Sequence, residues 1–258
     1  MNTLKIWQFI LSKLQNNVPV AFMIVPQSVG SSPGRQGHLM AVAADHSMCG
    51  TVGGGAMEYI LVEASKKYLQ NGREEHVYQR LVHEKTIDSE WSGLSCSGEQ
   101  TILSYFLYAK HCVLIEQILD KYLLNSCCLI CHSDGRLICQ EVAEQTQRYV
   151  YTFIDKTQWS FCFRVNQKER VFLVGAGHVG QALCRQLYLL DFEIILLDNR
   201  KDLPTEAVQS FIDQKVICNY KKVANFVSSS YLDYIVIMSF SSALDQLILS
   251  QLIHKPFK

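Results

Sequence analysis

The spacing of apolar and polar residues predicts a helix and then a strand at the start of the chain. In the segment MNTLKIWQFILSKL, apolar side chains recur every three or four positions, which is typical of an amphipathic helix. Residues 18–27 are continuously apolar and rich in β-branched side chains, and this pattern predicts a buried strand. The apolar face of the predicted helix comprises Leu4, Trp7, Leu11 and Leu14.

The rest of the first half predicts a mixture of helices and strands. A loop rich in Gly, Ser and Pro at 29–37 precedes two strands that flank a turn at 45–47. Glycines at 53–55 end the second of these strands and begin a helix over 56–69. Further along, the pattern predicts a strand within 93–107, a helix near 112–124, and a hairpin that turns at Asp134-Gly135.

Strands and helices alternate in the second half of the chain, which is typical of a parallel sheet with right-handed crossovers. We therefore predict an α/β protein with an α+β domain at 1–150, a linker at 151–169 and a Rossmann-like domain at 170–258. Because the chain stops after the last predicted helix, we expect this second domain to be truncated relative to a six-stranded sheet. The predicted strands are VFLVGAG, FEIILLD, KVICNY and DYIVIMS, and the predicted helices are HVGQALCRQLYLL, LPTEAVQSFIDQ and ALDQLILSQLI.

Composition excludes some classes of partner. Basic and acidic residues number 24 each, so the chain has no formal net charge and no overall attraction to nucleic acid or an anionic membrane. An apolar fraction of 48% can supply a core without disulfides. The N-terminus lacks a cleavage site, and no apolar run reaches the roughly 18 residues that span a bilayer. We therefore predict a cytoplasmic protein whose 10 cysteines are mostly reduced.

Gly175, Gly177 and Gly180 form a G-x-G-x-x-G motif between a predicted strand and a predicted helix. The first glycine permits a tight turn, the second lets a pyrophosphate approach the backbone, and the third lets the helix pack closely on the strand. His178 lies inside the motif, at a helix N-terminus that favours negative charge. The motif predicts a dinucleotide site; the alternative is that the glycines serve packing alone.

Asp198 ends the next strand, where an acid can accept a hydrogen bond from a ribose 2′-hydroxyl group. Arg200 lies near enough to matter if a 2′-phosphate is present instead. A dehydrogenase also needs a proton donor or acceptor, and no histidine follows the last predicted strand until His254. An NAD(P)-dependent oxidoreductase is therefore the alternative interpretation, and NAD(P) is the less favoured cofactor.

Two glycine-rich loops in the first half offer groups that bind a phosphate or another oxyanion, through backbone N–H groups, hydroxyls and a guanidinium. Glu58, in the first turn of the following helix, would complement the helix dipole or handle protons. The alternative is two tight turns in a β-rich domain. The candidate residues in these loops are Gly30, Ser31, Ser32, Arg35, Gly53, Gly54 and Gly55.

Two cysteine motifs are candidates for metal chemistry. Cys96 lies among small residues in GLSCSGE, where an exposed thiol could contact a metal or a sulfur donor. The alternative for Cys96 is a small buried side chain. Cys128 and Cys131 form a C-x-x-C, but a strand directs positions three apart to opposite faces, so we expect no shared metal.

Taken together, GSSPGRQG, GTVGGGAME, GLSCSGEQ and GAGHVGQAL occur in an order that resembles the XdhC/CoxI accessory proteins of molybdenum hydroxylases. The resemblance covers most of residues 18–245 and implies an XdhC/CoxI-type domain followed by a Rossmann domain. It implies binding of the molybdenum cofactor, molybdopterin, with Cys96 as a molybdenum or sulfur contact. It also implies a chaperone rather than an enzyme, whose partners are xanthine dehydrogenase or a related hydroxylase and a cysteine desulfurase or sulfurtransferase. We also expect a homo-oligomer.

The chain departs from the family pattern in three respects, one of which is the expected absence of the C-terminal end of the family's Rossmann domain. After the last predicted strand, relatives carry a T-H-x-H-x-x-D pattern, whereas residues 239–245 read SFSSALD and keep only Asp245. Ser97 stands where many relatives have a glycine. These departures leave open a third interpretation, a degenerate scaffold paralogue that binds the hydroxylase but no cofactor.

Overall fold

The computed structural model describes residues 3–82, 98–122, 127–141, 148–165, 168–202, 204–227 and 233–257. The chain forms two compact units, which divide after Gln167. The first unit comprises residues 2–167, and Lys168–Lys258 make up the bulk of the second. Among the described residues, no helix has the length and apolar character needed to cross a membrane.

The first unit contains three α-helices, a short 3₁₀ helix at Ala109–His111 and nine strands among its described residues. The helices are α1 (Thr3–Gln15), α2 (Gly55–Gln70) and α3 (Cys112–Tyr122). The strands are β1 (Val20–Gly30), β2 (Leu39–Ala43), β3 (Met48–Gly50), β4 (Val77–Val82), β5 (Gly98–Leu107), β6 (Cys127–His132), β7 (Leu137–Glu141), β8 (Tyr149–Asp155) and β9 (Gln158–Arg164).

The larger sheet of this unit is antiparallel, with the order β3-β2-β1-β5-β4. β1 lies at its centre, and its residues 20–26 are all buried, which confirms the strand predicted from the continuous apolar run. One face packs against α2, and the other packs against α1, α3 and the second sheet. The buried face of α1 centres on Ile6, Trp7, Ile10 and Leu14, so Leu4 and Leu11 lie at its margin, contrary to the sequence prediction.

The second sheet has the order β7-β6-β9-β8 and includes most of the segment expected to be a linker. Residues 151–165 belong to β8 and β9 and their flanks, so the linker prediction is wrong for them. Trp159, Phe161 and Phe163 face the core from alternate positions of β9. Burial in β8 does not follow its apolar pattern, because β8 is an edge strand and its exposed side chains include Val150, Phe153 and Ile154.

The second unit is a parallel sheet in the order β12-β11-β10-β13, which confirms the Rossmann-like prediction. The helix predicted after β11 is instead a short 3₁₀ helix at Glu206–Phe211, and a second 3₁₀ helix lies at Tyr220–Asn225. The strands are β10 (Arg170–Val174), β11 (Glu193–Asp198), β12 (Gln214–Ile217) and β13 (Asp233–Ile237). The helices are α4 (His178–Leu189) and α5 (Ser242–Leu252).

Candidate cofactor-binding site

Three segments singled out in the sequence meet at one end of the larger sheet. Gly30, the last residue of β1, pairs with Gly98, the first residue of β5. A side chain at Gly98 would overlap the backbone of Ser31, so only glycine permits this approach. Gly34 is packed just as closely against the carbonyl oxygen of Val52. The first glycine-rich loop therefore contacts both the second loop and the start of β5.

Gln100 joins the two loops, a role that the sequence analysis missed. Its buried side-chain oxygen accepts hydrogen bonds from Ser32 Oγ at 2.8 Å and from the Gly34 N–H at 3.0 Å. Its nitrogen donates to the carbonyl oxygen of Val52 at 2.6 Å. The available signal was a glutamine within a predicted strand, because a polar side chain that is buried in a sheet needs hydrogen-bond partners.

The second glycine loop is already occupied by an internal anion, and this changes the prediction for it. Glu58 Oε2 accepts hydrogen bonds from the N–H groups of Val52 at 2.9 Å and Gly54 at 3.0 Å, and from the Thr51 hydroxyl. The Gly53 N–H donates to Thr51 Oγ1 at 3.1 Å. The concave run of N–H groups expected to receive a phosphate thus holds a carboxylate from the next helix, and of its three glycines only Gly55 has its N–H outside this network.

The first loop divides into a buried part and an exposed part. Ser32 is buried against Gln100, so it holds the loop and does not face solvent. Ser31 and Arg35 are exposed, and the Arg35 guanidinium makes no ion pair within the part of the chain that the structure describes. Gly30 has a φ of 67°, the left-handed conformation that favours glycine. Cys96 lies outside the described residues; Gly98, two positions further on, contacts Ser31.

The three glycines of the G-x-G-x-x-G motif differ in why glycine is needed. Gly175 has a φ of 115°, and a side chain there would overlap the carbonyl group of Met238. A side chain at Gly180 would overlap the carbonyl oxygen of Gly175. Gly177 has a φ of −68° and faces open space, so neither its backbone nor its neighbours require glycine. Gly177 is the N-cap of α4, and the open space beside it leaves room for a ligand close to the backbone.

Asp198 is buried, and both of its carboxylate oxygens accept hydrogen bonds from this chain. Contrary to the sequence prediction, it does not present a free carboxylate to a ribose. Its Oδ2 accepts from the Ala176 N–H at 2.7 Å and from Arg200 Nη2 at 2.8 Å. Its Oδ1 accepts from the Arg200 N–H at 2.9 Å and Nε at 2.8 Å. The partly exposed guanidinium of Arg200 therefore covers the carboxylate, and the site presents a positive group to solvent.

The environment of Asp198 predicts a loss of stability in acid. Burial raises the pKa of this carboxyl group, but the hydrogen bonds from Arg200 and Ala176 outweigh burial and hold the pKa below its ordinary value of about 3.9. A depressed pKa contributes stability that is present above about pH 4 and is lost as the pH falls through the folded-state value. We expect hydrogen exchange in β10 and β11 to accelerate below about pH 4, after correction for the intrinsic exchange rate.

The variant Asp198→Asn provides the control for this pH dependence. It removes the charge and weakens the paired hydrogen bonds, so we expect a loss of about 1–2 kcal/mol at pH 7. The same variant should show a smaller additional loss between pH 5 and pH 3 than the wild-type chain. Identical acid sensitivity in the two proteins would assign the effect to other carboxyl groups.

The remaining Rossmann residues surround the glycine turn. His178 begins α4 and is exposed. Asp245, the residue retained from the family pattern, accepts a hydrogen bond from the Ser239 N–H at 2.9 Å and so holds the loop that follows β13. Phe240 in this loop is 73% exposed. Since the loop adjoins Gly175 through Met238, both segments lie at the carboxyl ends of adjacent strands, where Rossmann folds bind ligands.

The C-x-x-C cysteines lie on opposite faces of the second sheet, as the strand alternation predicted. Cys131 packs in the core with Leu129, whereas Cys128 lies on the other face with Cys162. Among the described residues, no group of three or more His, Cys, Asp or Glu side chains is arranged to hold a metal ion.

These features define a two-unit α/β protein with glycine-rich loops in both units and a Rossmann-type second unit. Two family models match it: the XdhC and CoxI family over residues 14–80, and the XdhC Rossmann domain over residues 171–258. The chain belongs to the XdhC and CoxI family. No curated protein matches its sequence.

A solved structure supports the same fold over nearly the whole chain. It is a crystal structure described as a xanthine dehydrogenase from Bacillus halodurans, with a TM-score of 0.59 and 18% sequence identity. The match covers 98% of this chain and 79% of that chain. At this level of identity the likeness concerns the fold alone.

Proposed function

We propose that this protein is a non-catalytic accessory protein that binds the molybdenum cofactor and delivers it to xanthine dehydrogenase or a related molybdenum hydroxylase. Family membership and the xanthine dehydrogenase description of the structural neighbour support an accessory role linked to such enzymes. The observation that carries the proposal is the loop at 30–37, which Gln100 holds in place while Ser31 and Arg35 remain exposed.

The exposed groups of this loop fit the anionic part of the cofactor. Molybdopterin carries a phosphate, and a guanidinium with a neighbouring hydroxyl group binds a phosphate through charge-assisted hydrogen bonds. The second loop does not fit a phosphate in the same way, because Glu58 fills its N–H groups with a carboxylate. We therefore assign phosphate binding to Arg35 and Ser31, and the contact with molybdenum or its sulfur to Cys96.

Titration with molybdopterin under anaerobic, reducing conditions tests this assignment through the change in tryptophan fluorescence. We expect the wild-type chain to bind, and Arg35→Ala to raise the Kd about tenfold to a hundredfold through loss of one charge-assisted contact. The matched control is Arg136→Ala, because Arg136 is also exposed in the first unit but pairs with Asp134 in a hairpin turn. Equal affinity of the two variants for molybdopterin would show that Arg35 does not contribute to binding.

Maturation of the partner enzyme provides a separate test of the accessory role. We expect xanthine dehydrogenase produced without this protein to contain less sulfurated cofactor, and co-purification to recover the hydroxylase and a cysteine desulfurase or sulfurtransferase. Light scattering of the purified chain tests the expected homo-oligomer.

Normal maturation of the hydroxylase without this protein, together with no cofactor binding, would overturn the proposal. Binding of the hydroxylase without the cofactor would instead favour a scaffold.

The second unit supports an additional candidate function, binding of a nucleotide. The observation that favours it is the open space beside Gly177 at the N-terminus of α4. Because Arg200 covers Asp198, we expect a ligand with a 2′-phosphate to bind better than one with a free 2′-hydroxyl group. Thermal-shift measurements with NADPH and NADH test this preference, and equal shifts would contradict it.

A further inference from the structure

The second sheet brings together two cysteine pairs that the proposed function does not use. Leu129 pairs with Cys139, so Cys127 and Cys139 lie diagonally on one face of β6 and β7. Ile130 pairs with Cys162, so Cys128 and Cys162 lie diagonally on the other face, between β6 and β9. The sequence hides these pairs, because the C-x-x-C spacing joins Cys128 and Cys131, whose side chains point apart.

The first of these pairs has its sulfur atoms in contact. The Sγ atoms of Cys127 and Cys139 are 2.8 Å apart. A disulfide bond has a length of about 2.05 Å, so the two atoms need to approach by less than about 1 Å. Diagonal neighbours on an antiparallel pair of strands are ordinarily farther apart than direct partners, and the right-handed twist of the sheet shortens one of the two diagonals.

The surroundings of the pair favour a reactive thiolate on Cys139. The hydrogen bond from Cys127, together with the charge of Lys121 at the end of α3, lowers the pKa of Cys139 to about 7 against the opposing effects of its burial and of the Glu141 carboxylate. Lys121 also pairs with Glu141 at 3.5 Å, which keeps its ammonium group beside β7. Cys139 is partly exposed, whereas Cys127 is buried and has a raised pKa, so one thiol is accessible and its partner holds the proton.

We propose that Cys127 and Cys139 form a reversible disulfide in response to a peroxide. The Cys139 thiolate attacks one peroxide oxygen, the O–O bond breaks, and the thiolate becomes a sulfenic acid while the other oxygen leaves as water or an alcohol. Cys127 then attacks the sulfenic sulfur, and its proton leaves with the hydroxyl group as water. The two thiols lose two electrons to the peroxide, and a reducing dithiol restores them by exchange.

The disulfide would close the hairpin between β6 and β7 without moving it to a new register. β7 is an edge strand that is hydrogen-bonded to β6 alone in the described sheet, so its backbone can open locally. The covalent link would hold β7 to β6 against this opening. Cys127 belongs to the core cluster that also contains residues of β1. The expected consequence is slower hydrogen exchange in residues 127–141 of the oxidised chain.

Peroxide treatment of the full chain, followed by alkylation of free thiols in denaturant and peptide mass mapping, tests the proposal. We expect a peptide pair linked through Cys127 and Cys139 after treatment with hydrogen peroxide, and its disappearance after incubation with dithiothreitol. Cys139→Ser should abolish the link and leave Cys127 alkylated. Cys49→Ser is the matched control, since Cys49 is also partly exposed in the first unit, and it should leave the link unchanged.

Two results would overturn the proposal. One is that Cys127 and Cys139 stay alkylatable at peroxide concentrations that oxidise Cys49. The other is that mapping finds each of them linked to a different cysteine. Circular dichroism of Cys139→Ser shows whether this variant is folded; if it is not, the linked peptides of the wild-type chain decide the question alone.

Discussion

Replacing Gln100 with alanine is expected to lower the free energy of unfolding of the first unit by about 3 kcal/mol. The substitution removes the partner of Ser32 Oγ, of the Gly34 N–H and of the Val52 carbonyl oxygen, all of which the buried amide satisfies. Each buried group left without a partner costs about 1–3 kcal/mol, and water that enters the cavity recovers part of that cost. Cofactor affinity should fall as well, because the loop that carries Arg35 loses its anchor.

Tryptophan fluorescence measures this effect selectively, because all three tryptophans precede residue 168 and report on the first unit. The matched control is Gln27→Ala. Gln27 is exposed on β1, close to the same loop, and its loss should change stability by no more than about 0.5 kcal/mol. A Gln100→Ala variant as stable as the control would show that the two loops hold together without the amide.

Replacing Gly180 with alanine is expected to destabilise the second unit by about 2 kcal/mol or more. The added methyl group would overlap the carbonyl oxygen of Gly175, and neither the turn nor α4 can move without disturbing the other. The higher helix propensity of alanine, worth about 1 kcal/mol, offsets only part of this cost. Faster hydrogen exchange in the peptides of β10 and α4 would show the effect in the full chain.

Gly177→Ala provides the comparison that separates packing from binding. Its added methyl group meets no neighbouring atom, and its φ of −68° suits alanine, so stability should change by less than about 1 kcal/mol. The methyl group would nevertheless occupy the space where a pyrophosphate approaches the backbone, and nucleotide affinity should fall at least about tenfold. If Gly177→Ala binds nucleotide as tightly as the wild-type chain does, the pyrophosphate does not approach the backbone at this position, and if neither chain binds nucleotide, the motif serves packing alone.

Local patterns predicted most of the fold. The continuous apolar run gave a central strand, and the alternation of strands and helices after residue 170 gave a parallel sheet with the glycine turn between β10 and α4. These features depend on residues close together in the chain, so periodicity and glycine spacing are enough to find them. β8 was missed because its apolar residues do not alternate with polar ones, and at the edge of the sheet several of them are exposed.

The candidate site was predicted less completely, because its residues act through distant partners. The sequence indicated which loops carry glycine, serine and arginine, and Arg35 is exposed as a binding role requires. It did not indicate that Glu58 fills the second loop or that Arg200 covers Asp198. Both acids lie where a motif predicts a ligand contact, and only the direction of their side chains shows that they serve the chain itself.

The sequence by itself determined the two kinds of domain, the family resemblance and the location of the glycine-rich loops. These depend on neighbouring residues, whose spacing the sequence shows directly. Only the tertiary structure decided that Gln100 joins loops, that Gly177 faces open space, and that Cys127 meets Cys139. Gln100 lies 68 positions from Ser32, and such contacts arise from strand register and from the packing of one loop on another, which local patterns do not specify.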